Sequence, residues 1–312
     1  MKRYLPLVAN FISGLIFGFA MLFIKMGMKA VDYDAIKFLA FRFTTGFVVM
    51  TLLLLTGLRK VNYRGKPIKL LLICGLSNPL ISQVFETTST TYAPTAQIAV
   101  FISVIPIMVV IISVFVNREL PTKRQAVFLC ISVFGVMLPN LVSGQMVGGT
   151  TLGLLLISGA LIAISINRVI SRRASKHFTA FETIYITTAM GSIGFSLTTL
   201  IQHGVRGELG SFFSGLCSPE FIISILYMGV GSCVVAFLCM TYALANLPIA
   251  VSSSTATLNT VVAILAGVFV LGETFRPIDV IGTVIILAGI IGMSLSYNTS
   301  DPKNRLENII TE

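Results

Sequence analysis

Ten stretches of about 20 predominantly apolar residues follow one another along this chain, and no other feature limits its fold so tightly. They run over about 5–28, 34–57, 67–91, 94–116, 123–141, 151–170, 179–201, 220–243, 247–271 and 276–297. Hydrocarbon offers no partner for a peptide N–H or C=O, so a segment of this length and composition is expected to be a membrane-spanning helix, which satisfies its own backbone. An outer-membrane barrel would instead show segments near ten residues with period-two alternation, and none occurs. The expected class is an all-α integral membrane protein with ten transmembrane helices. Lys2 and Arg3 precede the first run as they would in a signal peptide. The run continues to about Ile24 with no A-x-A-like cleavage site after it, so a retained first helix is expected. Residues 298–312 are polar and mixed in charge, and read as a cytoplasmic tail.

Charge places the helices. Only 11% of the residues are charged, against about 25% in an ordinary soluble chain. The net charge of +10 is gathered in short clusters between apolar runs. Basic clusters so placed mark the cytoplasmic face of a membrane and not a nucleic-acid footprint. With the N-terminus inside, 16 Lys and Arg fall on cytoplasmic segments, among them Arg59, Lys60, Arg64 and Lys66, and 5 fall opposite. Both termini are therefore expected in the cytoplasm, in a multi-pass protein of the cell membrane. The five cysteines show no CxxC spacing and four lie inside apolar runs, where they act as small hydrophobes and not as a disulfide framework or zinc site.

The runs are not independent. Pro94 to Leu138 reads PTAQIAVFISVIPIMVVIISVFVNRELPTKRQAVFLCISVFGVML, and Pro248 to Gly292 repeats its pattern at a constant shift of 154 residues. Pro94 falls on Pro248, the VFV at 114–116 on that at 268–270, Glu119 on Glu273, and Gly135 on Gly289. Earlier, Ile12-Ser13-Gly14 matches Ile157-Ser158-Gly159 at a shift of 145, which carries Ala35 onto Ala180 and Gly46 onto Gly191. The two shifts differ by 9, which expects an insertion in the longer stretch 203–219. Each copy then holds five helices, in 5–141 and 151–297. Five is odd, so the second copy enters the membrane from the other side. Two such halves make an inverted-topology repeat, the architecture suited to alternating access.

The half-repeat resembles the EamA module of the drug/metabolite transporter superfamily: fourth and ninth helices each ending in Glu, a short turn, then a helix with a late glycine. Glu119 with Gly135 and Glu273 with Gly289 carry the resemblance, supported by Arg42-Phe43 in the second helix, Lys25 ending the first and Arg168 late in the sixth. It covers residues 5 to 297. The resemblance implies a central cavity lined by helices 1, 3, 4, 6, 8 and 9, with helices 5 and 10 behind. The absence of Trp argues against a site built on indole stacking.

The polar residues inside the runs are few. Arg42 lies roughly 12 Å into the second helix at about 1.5 Å per residue. Facing lipid there would cost a guanidinium at least about 2.5–3.5 kcal/mol, so it is expected to face protein or water with a partner. Glu86, near the outer end of the third helix, is the one carboxylate well inside a run, and an intramembrane Arg42–Glu86 ion pair is expected. That pair either holds helices together, or Glu86 faces the cavity and binds an ammonium group or a proton. Asn78, Gln83, Glu86, Thr87 and Thr90 form a polar stripe on the third helix, with 83, 86/87 and 90 on one face. In the ninth helix, most of the Ser and Thr residues from Ser252 to Thr260 serve helix packing. Asn259 stands near the midplane, where transporter sites concentrate. Gln83, Glu86, Gln97, Thr257 and Asn259 are the candidate cavity residues, with helix–helix hydrogen bonding as the other reading. Glu119 and Glu273 sit at membrane edges, where a carboxylate stabilises the next helix N-terminus. Pro79 and Pro106 are expected to loosen helices 3 and 4. Lys25 and Arg168 either line the two ends of a pathway or snorkel to the interface.

Three classes of function compete. An inverted repeat with sparse polar residues near the midplane points to a secondary transporter. The solute is expected to be small and polar, an amino acid or related compound for export, with a drug or nucleoside exporter of the same fold as the alternative. A passive channel or structural bundle is the alternative of another class, but nothing resembles a selectivity filter. An enzyme would need a convergent constellation, and His177 and His203 fall in loops on opposite sides, which excludes an intramembrane histidine metal site. No GxxxxGK[ST] occurs, so no nucleotide or other cofactor is expected, and protons or an exchange substrate would supply the energy. The expected partners are the solute and the bilayer.

Overall fold

A computed structural model describes residues 5–102, 150–206, 218–246 and 276–298 without a break, with scattered positions between 104 and 138, Leu216, and most of 259–272. Eight helices are used below: α1 (Leu5–Lys29), α2 (Ala35–Leu55), α3 (Lys69–Tyr92), α4 (Thr95–Ile102), α5 (Thr151–Ala174), α6 (Ala180–Arg206), α7 (Pro219–Asn246) and α8 (Pro277–Asn298). Among the described residues six helices, α1 to α3 and α5 to α7, are long and apolar enough to cross a membrane. They correspond to the first, second, third, sixth, seventh and eighth expected spans, and α8 to the tenth. Most of the fifth and ninth, and part of the fourth, lie outside the described residues, so among the described residues the expected ten spans stand at six.

The outer surface is apolar, and polar and small residues share the interior with an apolar core. On α1, Leu5, Val8, Phe11 and Phe19 are exposed while Asn10, Ser13, Gly14 and Gly18 are buried. On α6, Ile193, Leu197, Ile201 and Val205 are exposed while Thr183, Thr187, Thr188 and Ser192 are buried. A bundle immersed in lipid gains nothing by hiding Leu, so small residues and short hydroxyls also serve as helix contacts, beside larger apolar side chains such as Ile24, Met28, Phe38 and Phe221. The glycines show how close they come. A Cβ at Gly46 would lie 3.0 Å from Cys233 Cβ, and one at Gly191 would lie 2.8 Å from Pro79 Cγ.

Helix starts are capped where the chain enters. Asp34 accepts from the Lys37 amide at 3.0 Å, Thr150 from Gly153 at 3.2 Å, and Ser218, followed by Pro219, from Phe221. The loop between α2 and α3 is fastened to the start of α6 by Glu182. Its carboxylate accepts from the Asn62 amide at 2.7 Å, from the Thr179 amide at 2.8 Å and from Lys66 Nζ at 3.0 Å, while Tyr63 donates to its carbonyl at 3.1 Å. The Glu182 amide in turn donates to Thr179 Oγ1, a capping box. Burial and the adjacent Glu182 charge raise the Tyr63 phenol above its ordinary range and keep it protonated.

Three pairings make the bundle: α1 on α7, α3 on α5, and α2 on α6. Each is antiparallel. Phe17 meets Phe237 while Phe23 stacks on Tyr227; Cys74 meets Asn167 while Gly153 lies against Tyr92; Thr44 bonds Ser192 while Phe47 meets Tyr185. In the repeat, α1 corresponds to α5, α2 to α6 and α3 to α7. Exchanging the copies turns α1–α7 into α5–α3 and leaves α2–α6 as itself. The matching helices α2 and α6 therefore run in opposite directions side by side.

Both α3 and α7 are interrupted by wide-turned π segments, at Leu76–Ile81 and Tyr227–Ala236. A shift of 154 carries the first into the second. In α3, Pro79 has no amide hydrogen and Asn78 leaves helical backbone angles. Asn167 of α5 donates to the Cys74 carbonyl at 2.9 Å, the repair by a neighbouring helix that an interrupted membrane helix needs. The loosening expected at Pro79 is seen; Pro106 lies outside the described residues.

Candidate functional site

The two interruptions face a cavity of about 60 Å³ in the middle of the bundle. At about 15 Å³ per ordered water it has room for roughly four. Phe17 and Ile24 of α1, Ile164 of α5 and Met228 and Phe237 of α7 make its apolar walls. Its polar lining is Arg42, Asn78, Gln83, Glu86, Asn167, Arg168, Ser232 and Asn259. Toward the Lys29 end of α1 lies a vestibule of about 880 Å³ bordered by Lys25, Lys29, Tyr33, Thr90, Tyr92 and Val270. Toward the opposite end lies a pocket of about 20 Å³ that shares Asn78, Asn167, Phe237 and Met240 with the central cavity and adds Ser171, Thr183 and Thr187. The small pocket adjoins the central cavity through these shared residues, and the vestibule, which shares none, lies toward the other end.

Arg42 is 2% exposed, and its partners come from two other helices. One terminal nitrogen donates to Gln83 Oε1 at 2.5 Å and the other to Ser232 Oγ at 3.1 Å. Gln83 Nε2 then donates to Glu86 Oε2 at 2.9 Å. The expected Arg42–Glu86 ion pair is thus replaced by a relay. No direct pair between them is recorded among the described residues, because the Gln83 amide, one turn before Glu86, occupies the space and presents its acceptor to the cation and its donor to the anion. The face of α2 that carries Arg42 also brings its guanidinium 5.3 Å from the Phe43 ring centre.

Four expected site residues come together here: Arg42, Gln83, Glu86 and Asn259. Gln97 does not line this cavity; it is half-buried on α4 and its Oε1 has no hydrogen-bond partner. Thr257, Glu119 and Glu273 lie outside the described residues, whereas Gly135 and Gly289 are buried in helical segments. Asn167 and Ser232 were missed, and Arg168 is displaced from where the sequence puts it: it lines the central cavity and not a pathway end. Asn167-Arg168 is a polar pair inside an apolar run, which is a usable signal. Ser232 carries none, since serine is common at helix contacts. Matching positions of the copies meet at the site, Asn78 with Ser232, Gln83 with Phe237, Glu86 with Met240 and Ile105 with Asn259. On α3 and α7, the first copy holds the amide and carboxylate where the second holds an aromatic ring and a thioether.

The model of the EamA-like transporter family matches residues 5–141 and 151–295. An uncharacterized transporter of Bacillus subtilis (strain 168), YcxC, is 28% identical over 290 residues, covering 93% of this chain and 92% of the relative. An uncharacterized transporter of Clostridium kluyveri is 24% identical over 255 residues, 80% of this chain and 79% of its own. A solved crystal structure with the same fold superposes with a TM-score of 0.63 at 15% identity, over 94% of this chain and 98% of that one. This chain belongs to the EamA-like transporter family. It is a multi-pass membrane transporter, not an enzyme, and works on a small-molecule substrate within a lipid bilayer.

Proposed function

We propose, with that family as the premise, that the chain is a secondary transporter moving a small polar metabolite of the amino-acid type across the cytoplasmic membrane by alternating access. The observation that carries the reading is the polar cavity lined from both interruptions, in α3 and α7, helices that match by sequence and run antiparallel. Broken helices at the midplane free backbone and side-chain groups for a solute, and exchangeable halves can open it to either side in turn. The repeats 5–141 and 151–297, each of five spans and inverted in the membrane, with both termini cytoplasmic, are the topology assigned to this reading. The wide vestibule then faces outward and the narrow pocket inward. Gln83, Glu86 and Asn259 contact the solute, Thr257 and Gln97 complete the polar path, and Glu119, Gly135, Glu273 and Gly289 serve the fold. Export is the assigned direction, driven by a proton gradient or by exchange.

The test is counterflow into proteoliposomes of radiolabelled amino acids, nucleosides and sugar phosphates, with and without a proton gradient. Saturable accumulation of one amino-acid class is expected. Accumulation of sugar phosphates alone would overturn the substrate class, and unsaturable leakage of all of them would favour a channel. Preloaded vesicles of known orientation test the direction.

A further inference from the structure

Among the described residues, the lining of the central cavity carries more positive than negative side chains. Its described lining holds two guanidinium groups, Arg42 and Arg168, and one carboxylate, Glu86. Arg42 and Glu86 are joined through Gln83. Arg168 has no such arrangement. Its Nε is buried without a hydrogen-bond partner, and no carboxylate is recorded in contact with it among the described residues. A cation near a helix C-terminus is favourable in itself. Arg168, however, stands six residues before the end of α5 and borders a cavity, so the dipole does not explain its place.

We infer that Arg168 is the anchor for a carboxylate on the transported solute, a step that rests on the transporter reading above and narrows it to carboxylate-bearing substrates. A guanidinium presents two parallel N–H donors that match a carboxylate, and the ligand's charge supplies what the cavity lacks. Cations mark the approach at the wide end. Lys25 and Lys29, one turn apart on α1, border the vestibule. Glu86 completes the chemistry. Its carboxylate suits an ammonium group on the same solute and repels the second charge of a phosphate monoester, which separates an amino acid from a sugar phosphate.

The experiment uses the purified full-length chain in proteoliposomes, with L-alanine, L-glutamine, L-glutamate and L-lactate each set beside its α-carboxamide, and with uridine and glucose 6-phosphate as carboxylate-free probes. At least one free acid is expected to accumulate 10-fold or more above its amide. Arg168→Gln should abolish that preference, and Arg168→Lys should restore part of it, both at unchanged elution and thermal midpoint. Equal uptake of acids and amides, or uptake of uridine or glucose 6-phosphate alone, overturns the carboxylate anchor while leaving a transporter. Absence of saturable uptake for every probe overturns both. If Arg168→Gln does not fold, the acid-to-amide ratio of the unaltered chain decides. An Arg168→Gln chain that keeps the wild-type ratio assigns the residue to structure and overturns the proposal.

Discussion

Arg42 and Glu86 are coupled without touching: the amide of Gln83 accepts from the first at 2.5 Å and donates to the second at 2.9 Å. An amide between unlike charges satisfies both while leaving each with atoms to spare. Arg42 Nε has no partner, and no hydrogen bond to Glu86 Oε1 is recorded among the described residues. The polar cavity is therefore held in shape and still able to bind.

Gln83→Leu should be the most damaging single change to the relay. It removes the acceptor from Arg42 and the donor from Glu86, and hydrogen bonds to charged groups are worth about 1.5–3 kcal/mol each. A lowered thermal midpoint in detergent and loss of uptake are expected together. Gln83→Glu restores an acceptor for Arg42 but sets two carboxylates side by side, so it should recover stability more than transport.

Glu86→Gln keeps a hydrogen-bonding partner for Gln83 and removes the charge. The fold should hold, with uptake of an ammonium-bearing solute down at least about 10-fold, equivalent to about 1.4 kcal/mol. The other charged groups lining the cavity among the described residues are the guanidiniums of Arg42 and Arg168. Wild-type uptake should fall as the external pH is lowered and Glu86 takes up a proton, while the variant stays flat. A variant with the wild-type rate and pH profile would assign Glu86 to structure.

Glu182→Ala should loosen the loop between α2 and α3 from α6. The carboxylate is 3% exposed and binds the amides of Asn62 and Thr179 together with Lys66. Partial unfolding near this end is expected, read as faster proteolysis within residues 57–68, with Glu182→Gln intermediate because it keeps one acceptor. Lys66→Ala should cost less, since Lys66 is 26% exposed and water can replace its contact.

Gly46 and Gly191 occupy matching positions in the copies, on the paired helices α2 and α6. Each is packed too closely for a larger side chain: an added Cβ would lie 3.1 Å from the Gly229 carbonyl oxygen in one case and 2.8 Å from Phe43 Cδ1 in the other. Overpacking of this kind costs about 1–3 kcal/mol. Gly46→Val and Gly191→Val should both lower the thermal midpoint, and valine at Gly204, which has nothing within 4 Å, should not.

Much of this molecule is written in one dimension. Apolar runs of membrane length fix an all-helical membrane protein, because backbone facing hydrocarbon must find its hydrogen bonds within its own segment. The repeat, read at shifts of 145 and 154, pairs α2 with α6 and α3 with α7. Pro79 shows where α3 breaks, since a missing amide is a local fact. Long-range side-chain geometry is not local. Arg42 reaches Gln83 across 41 residues and Ser232 across 190, and whether Gln83 stands between Arg42 and Glu86 depends on how far the interruption at 76–81 rotates the rest of α3. The same rotation problem hides Arg168: near a helix end an arginine can snorkel to the interface or turn inward, and the sequence is identical in both cases. Only the packing of α5 against α3 turns it into the cavity.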